Sequence, residues 1–164
     1  MILKSDIPSD SSLHNHIDNI DFEDCFSFDI SNNSMWINDL YVAIFSSAPK
    51  WVEALMRFRN SIVRVFGLKT EMKETPNSDF KVGDKVGIFS IYEILNNEII
   101  AGEDDKHLYF RVSIHREIKE KTTVSVSTAV LYNNNFGKVY MTIVKPFHKL
   151  VVKSLMKKAC RKLR

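Results

Sequence analysis

The sequence predicts an α+β fold: a curved antiparallel sheet wrapped around a helix at the C-terminal end of the chain. Three observations carry this. Glu98 to Ile114 reads as two strands folded about an acidic turn at Asp104 and Asp105, and the second strand sets Leu108, Phe110, Val112 and Ile114 at the period of two that buries one face of a sheet. Val124, Val126, Thr128 and Val130 repeat that alternation. Past Pro146, Val152, Leu155, Met156, Ala159 and Leu163 recur at helical spacing, with Lys149, Lys153, Lys157, Arg161 and Arg164 on the far side. A chain of 164 residues fits one domain and buries enough surface to fold without a disulfide or a structural metal.

In chain order, residues 1–20 are polar and read as a flexible acidic N-terminal arm; residues 21–164 form the single domain. Cys25, Phe26, Phe28 and Ile30 make the first strand, followed by a brief helix around Leu40, Ile44 and Phe45. Pro49 opens a second helix, in which Trp51, Leu55, Phe58, Ile62 and Phe66 form one stripe and Gly67 the stop. Residues 69–84 connect irregularly to the sheet and are long enough to lid a cavity. Val86 to Leu95 and Glu98 to Glu103 pair across Asn96-Asn97, residues that tolerate the positive φ of a tight turn. Lys106 to Arg116, Thr122 to Tyr132 and Phe136 to Val144 complete a six-strand count, with Asn133 to Asn135 as the last turn and Pro146 as the first residue of the final helix.

Composition narrows the function classes. Cys25 and Cys160 stand far apart with no metal-ligand spacing, which points to a reduced, cytoplasmic setting. No apolar run reaches the ~20 residues of a membrane span. His14 and His16 lack a third ligand, so no metal is expected, and no cofactor motif occurs. Charge is divided: residues 1–33 hold seven acids against Lys4 alone, whereas Lys149 to Arg164 hold seven bases and no acid. No aromatic residues interleave that basic tail, so nucleic acid is not an expected partner.

The densest ionisable cluster is Glu103, Asp104, Asp105 and His107, with Arg111 on the same strand as His107. A carboxylate beside an imidazole can work as a general base, but acidic turns and cross-strand pairs have the same composition for structural reasons. Arg111, His107, Tyr109, Ser113 and His115 share the strand face opposite Leu108, which faces solvent in a one-sided sheet. Arg59 falls at the edge of the second helix's apolar stripe and His148 in the buried sector of the last helix; both are placed to meet a ligand's polar end. No nucleophile motif occurs, so the catalytic residues, if any, are unknown.

Read together, APKWVEALMRFRNSIVRVFGLK, NNEIIAGEDDKHLYFRVSI and VSVSTAVLYNNNFGKVYMTIVKPFHKLVVKSLM resemble the DUF2867 family, placed with the START-like, or Bet v 1-like (SRPBCC), superfamily. The resemblance covers about residues 22 to 164. Positions matching the family's pattern include Arg59, Asn60, Gly102 to Asp105, His107, Arg111, Thr128, Asn133, Gly137, Pro146, Phe147 and His148. It implies a helix-grip fold, a curved antiparallel sheet around a long C-terminal helix with two helices after the first strand, and usually one strand more than counted above. The function it implies is binding of a small apolar or amphipathic molecule between sheet and helix. Ile88, Phe110, Val126, Met141, Leu155 and Met156 would line the cavity, and Arg59 or His148 would orient the ligand's anionic or carbonyl end. Two alternatives stand beside it: a cyclase- or hydrolase-like enzyme using His107 or His148 with Glu103 to Asp105, and an interaction protein using the basic last helix.

Overall fold

The computed structural model describes residues 1–31, 34–46, 48–65 and 78–163. Seven strands form one antiparallel sheet in the order β1 (Leu3–Lys4), β2 (Phe22–Ile30), β7 (Thr122–Tyr132), β6 (Leu108–Ile118), β5 (Glu98–Asp104), β4 (Phe89–Ile94), β3 (Lys85–Val86). Helix α1 (Leu13–His16) precedes β2; α2 (Ile37–Phe45) and α3 (Lys50–Val65) follow it; α4 (Asn135–Leu163) ends the chain. This is the helix-grip arrangement: α4 packs on β2 and β7 and against α2.

The sheet's helix-facing side is built by alternation. Phe26, Phe28, Val124, Val126, Val112 and Ile114 project from β2, β7 and β6 into one cluster with Leu40, Tyr41 and Ile44 of α2 and Val152, Leu155, Met156 and Ala159 of α4. Burying a side chain of this size contributes about 1.5–3 kcal/mol, so this cluster dominates the fold's stability.

The seventh strand comes from both ends of the sheet. Gly87, at φ +66, breaks the strand expected over Val86 to Leu95 into the tight hairpin of β3 and β4, and Leu3–Lys4 adds an edge strand to β2 at Ser27 and Phe26. Against these two gains stands one loss. Phe136 to Val144, expected as a strand, is the first part of α4, and Pro146 lies inside that helix instead of opening it. The β-branched residues Val139, Thr142, Ile143 and Val144 argue for a strand locally, but both edges of β7 are already occupied, by β2 and β6. Asn134 starts the helix: its side-chain oxygen accepts the Gly137 N–H at 3.0 Å, the geometry of an N-cap. Pro146 is exposed, so the carbonyl it leaves unpaired one turn back can meet water. The Asn96-Asn97 hairpin forms without positive φ at either residue.

The outer side of the sheet is covered as well, by residues 5–20. Leu13 and Ile17 pack on Ile100 and Ala129, with Ile7, Ile20, Tyr92 and Leu131 around them. Arg111, Ser113 and His115, expected in solvent, are therefore buried. Phe66, Gly67 and most of the expected 69–84 connection lie outside the described residues.

Candidate functional site

On β2, counting back from Phe28 and Phe26 in steps of two gives Asp24 and Phe22, all on the helix-facing side. A carboxylate thus occupies a slot that alternation assigns to the core. Asp24 is buried, and its Oδ1 lies 3.3 Å from Nε2 of His148 on α4. Directly across from Asp24 on β7 is Thr128, also buried. Asp24 Oδ2 and Thr128 Oγ1 have no hydrogen-bond partner among the described residues. Leaving such groups dry and unpaired costs about 1–3 kcal/mol each, more for a charged one. Phe22 meets the His148 ring edge-on, with centroids 6.0 Å apart.

The polar trio separates two apolar regions. On one side, Phe26 and Val126 belong to the main cluster with Leu155 and Met156; on the other, Val130, Leu108 and Met141 form a second cluster with Phe22, Tyr132, Tyr140 and Val144. Phe110 packs against both. Of the residues expected to line a ligand cavity, Val126, Leu155, Met156, Met141 and Phe110 are therefore arrayed on both flanks of His148, while Ile88 sits at the β3–β4 turn. The side chain of Arg59 lies outside the described residues.

The acidic cluster of the β5–β6 hairpin comes apart into three places. Glu103 faces the helix side, where Ser90 donates to it at 3.3 Å and Lys85 Nζ approaches to 3.8 Å. Arg111, on the outer side, pairs with Asp104 at 2.6 Å and lays its guanidinium over Tyr92, 3.8 Å from the ring centroid. Burial raises the Tyr92 hydroxyl above its ordinary pKa, against the pull of Arg111. Asp105 and His107 belong to the joint that holds the start of α4. Asp105 Oδ1 accepts the His107 N–H, Asn133 Nδ2 donates to the Asp105 carbonyl at 2.8 Å, and the His107 ring stacks on Phe136 at 4.4 Å. A Cβ on Gly137 would collide with the His107 carbonyl, so only glycine lets the helix approach this closely. His107 thus makes a structural joint, with no carboxylate side chain bonded to its ring among the described residues.

A second polar centre on the outer side was not legible as such. Glu98 is buried and accepts hydrogen bonds from Ser11 Oγ, from Ser113 Oγ and, at 2.7 Å, from the Ser12 N–H. His115 stands opposite it on β6, with Nε2 3.4 Å from Asp10 and 3.2 Å from the Asn97 amide. Nearby, Ser5 and Ser127 each bring a hydroxyl within 3.2 Å of Cys25 Sγ, and burial raises that thiol above its ordinary pKa. A separate open cleft of about 880 Å³ lies between Met35, Trp36, Asn38 and Asp39 on one bank and Leu95 and Arg116 on the other, and none of these groups lines it. Among the described residues no group of three metal-ligating side chains occurs, and no helix is long and apolar enough to cross a membrane.

Residues 16–155 match the family described as Protein of unknown function (DUF2867). The chain belongs to this family. No curated protein and no solved structure matches it. The family's description carries no activity, so the arrangement of Asp24, Thr128 and His148 has to be argued from its own chemistry.

Proposed function

We propose that this DUF2867 protein binds a small amphipathic molecule on the helix-facing side of its sheet, a START-like use of the fold, with Asp24, Thr128 and His148 holding the ligand's polar end. The observation that supports the reading is the pair of unpartnered buried oxygens, Asp24 Oδ2 and Thr128 Oγ1, opposite one another between two apolar clusters. Of the buried polar atoms left unpaired among the described residues, these two stand opposite one another on paired strands beside an imidazole, an arrangement that suits a group arriving with the ligand. Both oxygens can accept a hydrogen bond. With His148 turned to Asp24, the fitting polar end is a donor, an alcohol or an amine, in place of a carboxylate.

The test is titration of the protein with dodecanol, dodecylamine and dodecanoate, read by calorimetry, for the parent and for Thr128→Val. The parent is expected to take the alcohol or amine in preference to the acid, and Thr128→Val to weaken the alcohol by about tenfold, the worth of one neutral hydrogen bond. A parent that binds none of the three, or that prefers dodecanoate, overturns the reading.

A further inference from the structure

Helix α4 carries two apolar faces. One, through Val152, Leu155, Met156 and Ala159, closes the core. The other points away from it: Val139, Ile143, Phe147 and Leu150 follow one another every three or four residues and are 60%, 63%, 48% and 57% exposed. Large side chains this open are common singly, but four in one stripe make a patch that needs a partner. The same line of the helix continues into Lys157 and Arg161, with Lys153 and Lys158 on its two flanks, all exposed. Between Asn135 and Leu163 there are eight bases (Lys138, Lys145, Lys149, Lys153, Lys157, Lys158, Arg161, Lys162) and no acid.

We infer that this outward face of α4 docks the protein on an anionic lipid bilayer, the helix lying in the plane of the interface. The charge decides the occupant. An anionic membrane offers an apolar layer for Val139, Ile143, Phe147 and Leu150 and negative headgroups for the lysines, without requiring a complementary shape. A second copy fits poorly. Packed antiparallel, it would lay Lys157 and Arg161 of each chain over the other's apolar stripe; packed parallel, it would set cations against cations. The buried face that the core needs raises no objection, because it lies on the opposite side of the helix from the stripe.

The full chain is sedimented with vesicles of phosphatidylcholine alone and of phosphatidylcholine with about 30% phosphatidylserine. Binding to the mixed vesicles only, weakening as salt is raised, is expected. Each cation near an anionic surface adds about five-fold in affinity, so Lys157→Gln/Lys158→Gln/Arg161→Gln should lose roughly a hundred-fold. Lys153 is left in place because its ammonium lies over the Phe26 ring at 5.1 Å. Ile143→Gln/Leu150→Gln, which keeps every charge, should lose binding as well while melting like the parent. A parent that ignores the mixed vesicles or binds both kinds equally overturns the proposal, as does retention of binding by either variant. A dimer of the parent, seen by analytical ultracentrifugation and broken by Ile143→Gln/Leu150→Gln, would assign the stripe to a second copy instead and equally overturn it.

Discussion

The two sides of the sheet are closed by different chemistry. On the helix-facing side, α2 and α4 meet the strands through bulky apolar groups such as Phe26, Phe28, Val126 and Met156, and polarity enters at Glu103 beside Ser90 and Lys85 and, left partly unpaired, at Asp24 and Thr128. On the outer side, residues 5–20 bring a smaller apolar set, Leu13 and Ile17 on Ile100 and Ala129, and a dense polar set in which Glu98 accepts three hydrogen bonds. The first side is held by area and the second by hydrogen bonds gathered on one buried carboxylate, although Arg111 Nε and His115 Nδ1 there also lack a partner among the described residues. An apolar core tolerates small losses gradually, whereas removing one member of a buried polar network leaves the others desolvated and unpaired.

The largest expected effect breaks the first side outright. Leu155→Asp puts a carboxylate into the main apolar cluster and should abolish cooperative thermal unfolding in calorimetry. A soluble variant melting within a few degrees of the parent would mean that α4 is not part of the core. Next in size is Glu98→Ala, which strips the acceptor from Ser11, Ser113 and the Ser12 N–H and should cost roughly 2–4 kcal/mol in urea unfolding. Its damage should be local. Hydrogen exchange is expected to accelerate over residues 5–20 while α4 keeps its protection, so equal loss in both places would contradict the separation drawn between the two sides.

Thr128→Val sharpens the contrast from within. Its hydroxyl is buried without a partner among the described residues, so a methyl of the same shape should leave stability unchanged or raise it by about 1 kcal/mol, even as alcohol binding falls. Destabilisation by this change would show that the hydroxyl has a structural partner and would remove it from the ligand site. Ser113→Ala on the outer side, by contrast, removes a donor that Glu98 uses and should destabilise by about 1 kcal/mol.

How far these features could be read in the sequence follows from the range of the interactions. Alternation in β6 and β7 and the helical stripe of α4 are local patterns, and they place the core residues correctly. Phe136 to Val144 failed because β-branched residues argue for a strand wherever they occur, while the decision against a strand was made by β2 filling the edge of β7 more than a hundred residues away in the chain. The Asn134 cap was visible but was read as part of a hairpin turn. Arg111, Ser113 and His115 were assigned to solvent because alternation tells which side a residue faces, not what covers that side; the cover is Leu13 and its neighbours, in a segment whose own pattern is too short to read. His148 was recognised from its place on the helix wheel, and Asp24 was missed although the same period of two, run backward from Phe28, points to it. In the sequence it stands among the seven acids of residues 1–33, where charge is more legible than a strand face.

The smallest expected effect concerns pH and the outer side. His16 Nε2 lies 2.9 Å from Glu93 Oε2, fixing α1 to β4. The nearby Ser12 hydroxyl, and after it His16, hold the Glu93 carboxyl below its ordinary value of 4.5. A carboxyl whose folded pKa lies below its unfolded one stabilises the fold fully above the unfolded value, and this contribution is lost as pH falls through the folded value. The pair is only partly buried and water still screens it, so the effect should stay under about 1 kcal/mol. Comparing parent and Glu93→Gln isolates it from the other carboxylates: the parent should melt slightly higher at neutral pH, and the gap should close in acid, below the ordinary carboxylate range. The contact bears on α1 alone. The gain at neutral pH should therefore appear as slower hydrogen exchange around Leu13 to His16, with Val152 to Ala159 unchanged between the two proteins. A gap that persists undiminished in strong acid would mean that glutamine disturbs packing and not charge, and a gap expressed in α4 would mean that the two sides of the sheet unfold as one unit.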